Sequence, residues 1–177
     1  MSLGAIIAVA VAGLVGSVLV SVRIDVAKQR RKVARARAHL ASAKIRRRAS
    51  DVPVTLAFQS GGGLARVARI ATCVLGDDGF YCMSNDGAWG ARVPFAPGKP
   101  GDGDLALGAP PALVKGGAVV DANLPGWLAA NIKSLPPDGL LLQFQDGFVW
   151  LVAVPEADGW FAALMAAIRD PGGAATS

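Results

Sequence analysis

Few residues in this 177-residue chain are equipped for chemistry. Two cysteines, Cys73 and Cys82, and one histidine, His39, leave almost no material for a zinc site or a disulfide scaffold. His39 lies in a run of bases, away from any credible nucleophile and base partner, so no hydrolytic triad can be assembled around it. Gln59-Ser60-Gly61-Gly62-Gly63 has the glycines of a phosphate loop without the Lys-Ser/Thr that follows them, and reads as a hinge or as a hairpin loop. Asp102-Gly103-Asp104 is too short for a calcium loop and has no downstream bidentate Glu. No carboxylate pair is singled out for acid–base work. The expectation is a protein without catalysis, cofactor or metal. The alternative is a membrane-tethered ligand-binding or catalytic domain with its site in the loop-rich 95–111 region.

The cysteines are the most testable pair. If Asp77-Asp78 turns a hairpin, residues whose numbers sum to 155 face each other, and Cys73 stands opposite Cys82. In a reducing compartment such a pair stays as two thiols; in an oxidising one it is within bonding reach.

Cations supply the other chemistry. Residues 23–49 hold eleven Lys/Arg against one acid, Asp25, a net +10, whereas residues 50–177 hold seven bases against twelve acids, a net −5. The whole-chain charge of +5 therefore belongs to one segment. Arg30, Arg31, Lys32, Arg35, Arg37, Arg46, Arg47 and Arg48 are its candidates for contact with anionic lipid or an acidic partner. With no aromatic residue to stack on bases, the segment makes nucleic acid the last choice of partner.

These residues must be positioned by three parts. Leu3–Val22 is a run of twenty residues in which only Ser17 and Ser21 are polar, long enough for a helix to cross a bilayer. The dense positive charge follows the run, so it reads as an uncleaved signal anchor with the N-terminus outside and the remainder cytoplasmic. Small residues at a spacing of four (Gly13, Ser17, Ser21) would let two spans pack as a homo-oligomer. Residues 23–50, without Pro or Gly, predict a continuous basic helix. A narrow seam of Val26, Gln29, Val33, Ala36, Leu40 and Ala43 runs along it, but the flanking bases would repel one another in a parallel coiled coil.

Residues 51–169 predict an α+β domain, mostly antiparallel strands, and 170–177 a disordered tail. Strands near Val67–Leu75, Phe80–Ser84 and Trp89–Phe95 form a meander, with Pro94 at an edge. Ala112–Val120 is a short strand broken at Gly116-Gly117. Asn123–Leu135 fits a helical face or a strand. A two-residue turn at Asp146-Gly147 pairs Gln145 with Phe148 and places Leu140, Leu142 and Phe144 on the face of Val149 and Leu151. A closing helix follows, with Pro155 at its first position and Trp160, Phe161, Leu164, Met165 and Ile168 on its apolar face.

The final strand and helix, Phe148–Ile168, resemble the C-terminal signature of pleckstrin-homology-like (PH-like) domains. The resemblance implies an antiparallel barrel or sandwich closed by that helix, with Trp160 packed into the core. It also implies that a phosphoinositide site would use bases at the first hairpin loop. Here that loop is expected at Gly76-Asp77-Asp78-Gly79, whose acids repel phosphate. Taken together, the reading is a single-pass membrane-anchored interaction or scaffold protein, an accessory subunit of a membrane complex.

Overall fold

A computed structural model describes residues 29–60, 63–95, 101, 104–120, 124, 126–130 and 138–170. The expected span at 3–22, residues 23–28 and the tail at 171–177 lie outside the described residues. Among the described residues no helix is long and apolar enough to cross a membrane.

The chain runs from helix α1 (29–42) into strands β1 (Ile45–Ser60), β2 (Gly63–Gly76), β3 (Gly79–Ser84) and β4 (Gly90–Pro94). Strands β5 (Ala112–Lys115) and β6 (Ala118–Val120) precede a single helical turn, α2 (Gly126–Ala129). Strands β7 (Gly139–Gln143) and β8 (Val149–Val152) lead to helix α3 (Ala157–Arg169). All eight strands form one curled antiparallel sheet in the order β4-β3-β2-β1-β8-β7-β5-β6. The fold is α+β, a half-barrel with a C-terminal helix.

Hydrogen bonds bring the two flanks of the curl together. Leu105 N–H donates to Arg92 O at 2.8 Å, Gly108 N–H to Gln143 O at 2.8 Å and Gln145 N–H to Ala106 O at 3.0 Å. Residues 104–108 thus strap β4 to the end of β7. This consumes the described part of the 95–111 loop in closing the sheet, with Leu105 and Leu107 packed on the core. Pro94 ends β4, which is an edge strand as expected.

The concave face carries the main core. Cys73, Leu75, Phe80, Cys82, Trp150 and Val152 meet Trp160, Leu164 and Ala167 of α3. Trp160 is 3% exposed and stands edge-on to Phe80, with ring centroids 6.4 Å apart. The other face is also covered. Leu128 of α2, fully buried, caps Val114, Leu141 and Leu151 at one end. At the other end α1 lies across β2–β4, with Val33 and Ala36 each 4% exposed. A Cβ added at Gly90 would meet Val33 Cγ2 at 3.5 Å, and one at Gly76 would meet Ala43 Cβ at 3.3 Å. The seam Val33–Ala36–Leu40–Ala43 therefore exists, but its partner is this chain's own sheet.

Four expectations are corrected. The basic segment is not helical to residue 50: α1 ends at 42, and 45–50 open β1. Ala, Arg and Lys permit a helix there, but ladder pairing of Arg47 with Leu75 and Arg48 with Val74 overrides that weak preference. The register of the β7–β8 hairpin is one residue from the expected one, with Leu142 opposite Trp150 and Gln143 opposite Val149. The loop has three residues, because Phe144 O accepts from Gly147 N–H at 3.1 Å and Gly147 takes φ 83°, a turn followed by a glycine bulge. Leu142 consequently shares its face with Trp150 and Val152. The first hairpin is β1–β2, where Gln59 pairs with Leu64 and Ser60 with Gly63, so these residues belong to one ladder rather than to an interdomain hinge, and Asp77-Asp78 turns the second hairpin. Finally, α3 begins at Ala157, two residues after Pro155, with Glu156 at its N-cap in a left-handed conformation. Of the ambiguous 123–135 segment, the described helical residues are Gly126–Ala129.

Candidate functional site

The fold divides the basic cluster into three. On α1 the buried line Val33–Ala36 sets which bases face outward. Arg30, Arg31, Lys32, Arg35 and Arg37 are all exposed. In β1 the pleat separates neighbours. Arg47, paired with Leu75, lies on the concave side, its Nη1 4.0 Å from Glu156 Oε2 at the start of α3. Arg46 is half-buried, and its Nη2 has no hydrogen-bond partner among the described residues. Arg48, paired with Val74, faces the α1 side.

Arg48 and Arg37 are brought together at a surface hollow of about 450 Å³ between α1 and the sheet. Its floor comes from an irregularity in β1. Register is lost between Ala49 and Val52, leaving Ser50 and Asp51 as a bulge, and Asp51 adopts φ 57°. A left-handed conformation is costly for most side chains and better tolerated by Asp. Asp51 is held there by Asn85, whose Nδ2 donates to Asp51 Oδ1 at 2.7 Å while its Oδ1 accepts from Thr72 Oγ1 at 3.2 Å. Leu40, Ile45, Val74 and Met83 supply the apolar wall. Among the described residues neither Arg37 nor Arg48 has an ion-pair partner.

The β3–β4 loop forms one rim. Ser84 Oγ donates to Asp86 Oδ1 at 2.5 Å and accepts from Trp89 N–H at 2.9 Å, and Ala88 N–H donates to Asp86 Oδ1 at 2.9 Å. The Ser84 hydroxyl, with the Ala88 amide, holds the Asp86 carboxyl below its ordinary value. Gly87 has φ 69°, and a Cβ there would meet Arg37 Nη2 at 2.9 Å, so the guanidinium lies along this loop.

A second polar cluster is structural. Arg92 reaches Asp78 Oδ2 at 2.9 Å and Asp104 Oδ2 at 3.2 Å, and the Tyr81 hydroxyl donates to Asp78 at 2.8 Å. Burial, then the hydrogen bond and charge of Asp78, raise the Tyr81 phenol well above its ordinary value. Asp77 is likewise engaged, its Oδ1 accepting the Lys44 N–H at 3.0 Å. The acids of the Asp77-Asp78 turn are thus spent on the fold.

Cys73 and Cys82 pair as expected, unbridged and fully buried, with sulfurs 3.5 Å apart. Burial, and secondarily the hydrogen bond with Cys73, raise the Cys82 thiol well above its ordinary value. Among the described residues no group of His, Cys, Asp and Glu could hold a metal ion. The hollow itself was missed from sequence; only Asp51 next to the basic run hinted at a kink. Compared with known proteins, the chain matches no family model, no curated protein and no solved structure.

Proposed function

We propose that the chain is a single-pass membrane-anchored interaction protein whose PH-like domain is presented to the cytoplasm as a subunit of a membrane complex. The observation that supports this most is the docking of α1. The cationic segment is built into the domain through Val33 and Ala36, so its outward bases form a fixed face rather than a loose arm. Six residues lie between Val22 and Gln29, and the seven steps from one to the other reach about 10 Å as helix and at most about 25 Å extended. A domain on so short a link to a lipid span keeps Arg30, Arg31, Lys32 and Arg35 beside the head groups, where each base contributes about 1 kcal/mol toward an anionic surface. The curled sheet and closing helix, with Trp160 in the core, support the PH-like assignment.

The test is topology in intact cells. Ala175→Cys adds one thiol near the C-terminal end to a chain whose own two are buried. A membrane-impermeant maleimide should leave it unlabelled until the cells are opened, and the protein should resist alkaline extraction from membranes. Labelling in intact cells, or release of the chain by alkali, would overturn the reading.

A further inference from the structure

We propose that the hollow between α1 and the β1 bulge is a docking site for an extended acidic segment of a partner protein, whose carboxylates are taken by Arg37 and Arg48. This deepens the reading of the domain as an interaction module and rests on it. Arg37 and Arg48 line one hollow from different elements, α1 and β1, and lack ion-pair partners among the described residues. An arginine fork matches a carboxylate in two parallel hydrogen bonds, so a pair of them reads two acidic groups. Of the acids at the site, Asp51 is occupied by the Asn85 amide at 2.7 Å, and Asp86 on the rim by the Ser84 hydroxyl and the Ala88 amide.

The wall decides the class of ligand. Leu40, Val74 and Met83 line the same hollow, and Ile45, 49% exposed, stands at its edge. A bare phosphate or a sugar phosphate leaves these side chains nothing to bury against, whereas a peptide that alternates acidic and aliphatic residues satisfies both surfaces. Its size, about 450 Å³, suits a few side chains rather than one inorganic anion. The bulge adds a reason for an extended backbone, since Ser50 and Asp51 are released from the β1–β2 register. The strained Asp51 is the kind of conformation that accumulates at ligand clamps.

The experiment uses the full chain in phosphatidylcholine nanodiscs and a bead-displayed library of random heptapeptides. Selection should enrich peptides that combine Asp or Glu with Leu, Ile or Val. A selected peptide should bind at least tenfold more weakly to the Arg37→Gln, Arg48→Gln variant and lose affinity in added salt. The Arg37→Lys, Arg48→Lys variant should recover part of the affinity, and an unchanged thermal midpoint in both variants shows that folding is intact. Enrichment without acidic residues, or equal affinity for the double Gln variant, would overturn the proposal. So would a double Gln variant whose only loss is adhesion to phosphatidylserine vesicles, which marks a lipid site instead. Crosslinking in native membranes separates the two levels. A partner captured equally by wild type and double Gln variant refutes the hollow and keeps the interaction module; capture by neither refutes the module.

Discussion

Cys73 and Cys82 face each other across the β2–β3 ladder with their sulfurs 3.5 Å apart and both side chains sealed from solvent. Their reactivity is set by that burial, because the thiolate and not the thiol attacks. A water-soluble aromatic disulfide should therefore find no thiol in the folded chain at neutral pH and two per chain in denaturant. Rapid titration of either cysteine in the folded state would contradict the packing. A bridge in protein from its native host would instead contradict the cytoplasmic placement proposed above.

Tyr81 is the chain's only tyrosine, so its ionisation can be followed without interference. Its phenol is raised in the folded state by burial and by Asp78. The unfolded chain then loses this proton first, near pH 10, and the stability present below that pH falls as pH rises further. Tyrosinate absorbance should appear together with loss of near-ultraviolet circular dichroism in an alkaline titration. Ionisation near pH 10 with the fold intact would contradict the burial of the phenol and its contact with Asp78.

Arg92 and Asp104 hold the strap. Their side chains are 13% and 12% exposed, which makes the pair costly to break from one side. Asp104→Ala should destabilise the protein by about 2 kcal/mol, less than the loss of a sole partner because Asp78 still pairs with Arg92, measured by denaturant unfolding. Hydrogen exchange should rise first at Leu105 and Gly108, whose amides make the strap's bonds to Arg92 and Gln143. Protection unchanged at those two amides would remove Asp104 from the closure.

Docking of α1 is tested by two neighbours of opposite exposure. Val33→Ala removes two buried carbons and should cost about 2 kcal/mol, whereas Arg31→Gln on the exposed side should change stability by less than about 0.5 kcal/mol. Equal effects would mean that α1 stands free of the sheet.

Glycines in the last hairpin should rank by their surroundings. Gly147 needs only its left-handed φ of 83°, with open space around it, so Gly147→Ala should cost about 1 kcal/mol. At Gly139 a Cβ would clash with Val152 O, so Gly139→Ala should cost clearly more and disturb the β7–β8 ladder. Chemical denaturation of the two variants checks the order.

The reach of the sequence was uneven for physical reasons. Asp77-Asp78 fixed its hairpin because a two-residue loop leaves one register, and Cys73 fell opposite Cys82. Asp146-Gly147 did not, because the same pair also serves a three-residue loop whose glycine takes the bulge. The α1 seam was visible at Val33, Ala36 and Leu40, yet periodicity names a face and never its partner. The end of α1 was hidden because Ala43–Ser50 suits a helix until β2 is beside it. Convergence of Arg37 and Arg48 depends on α1 docking over the strand that carries Arg48, and the Ser50–Asp51 bulge beside them is not announced by a run of bases followed by one Asp.

Only Ala43 and Lys44 lie between α1 and β1, and β1 is gripped by β2 along one edge and by β8 along part of the other. Tension arriving through the N-terminal chain therefore meets an adhesive helix before it meets the ladders. The helix can peel turn by turn, while the strand behind it must be sheared against two partners at once. Under such a load the domain would give up length at α1 first, while the curled sheet stays whole.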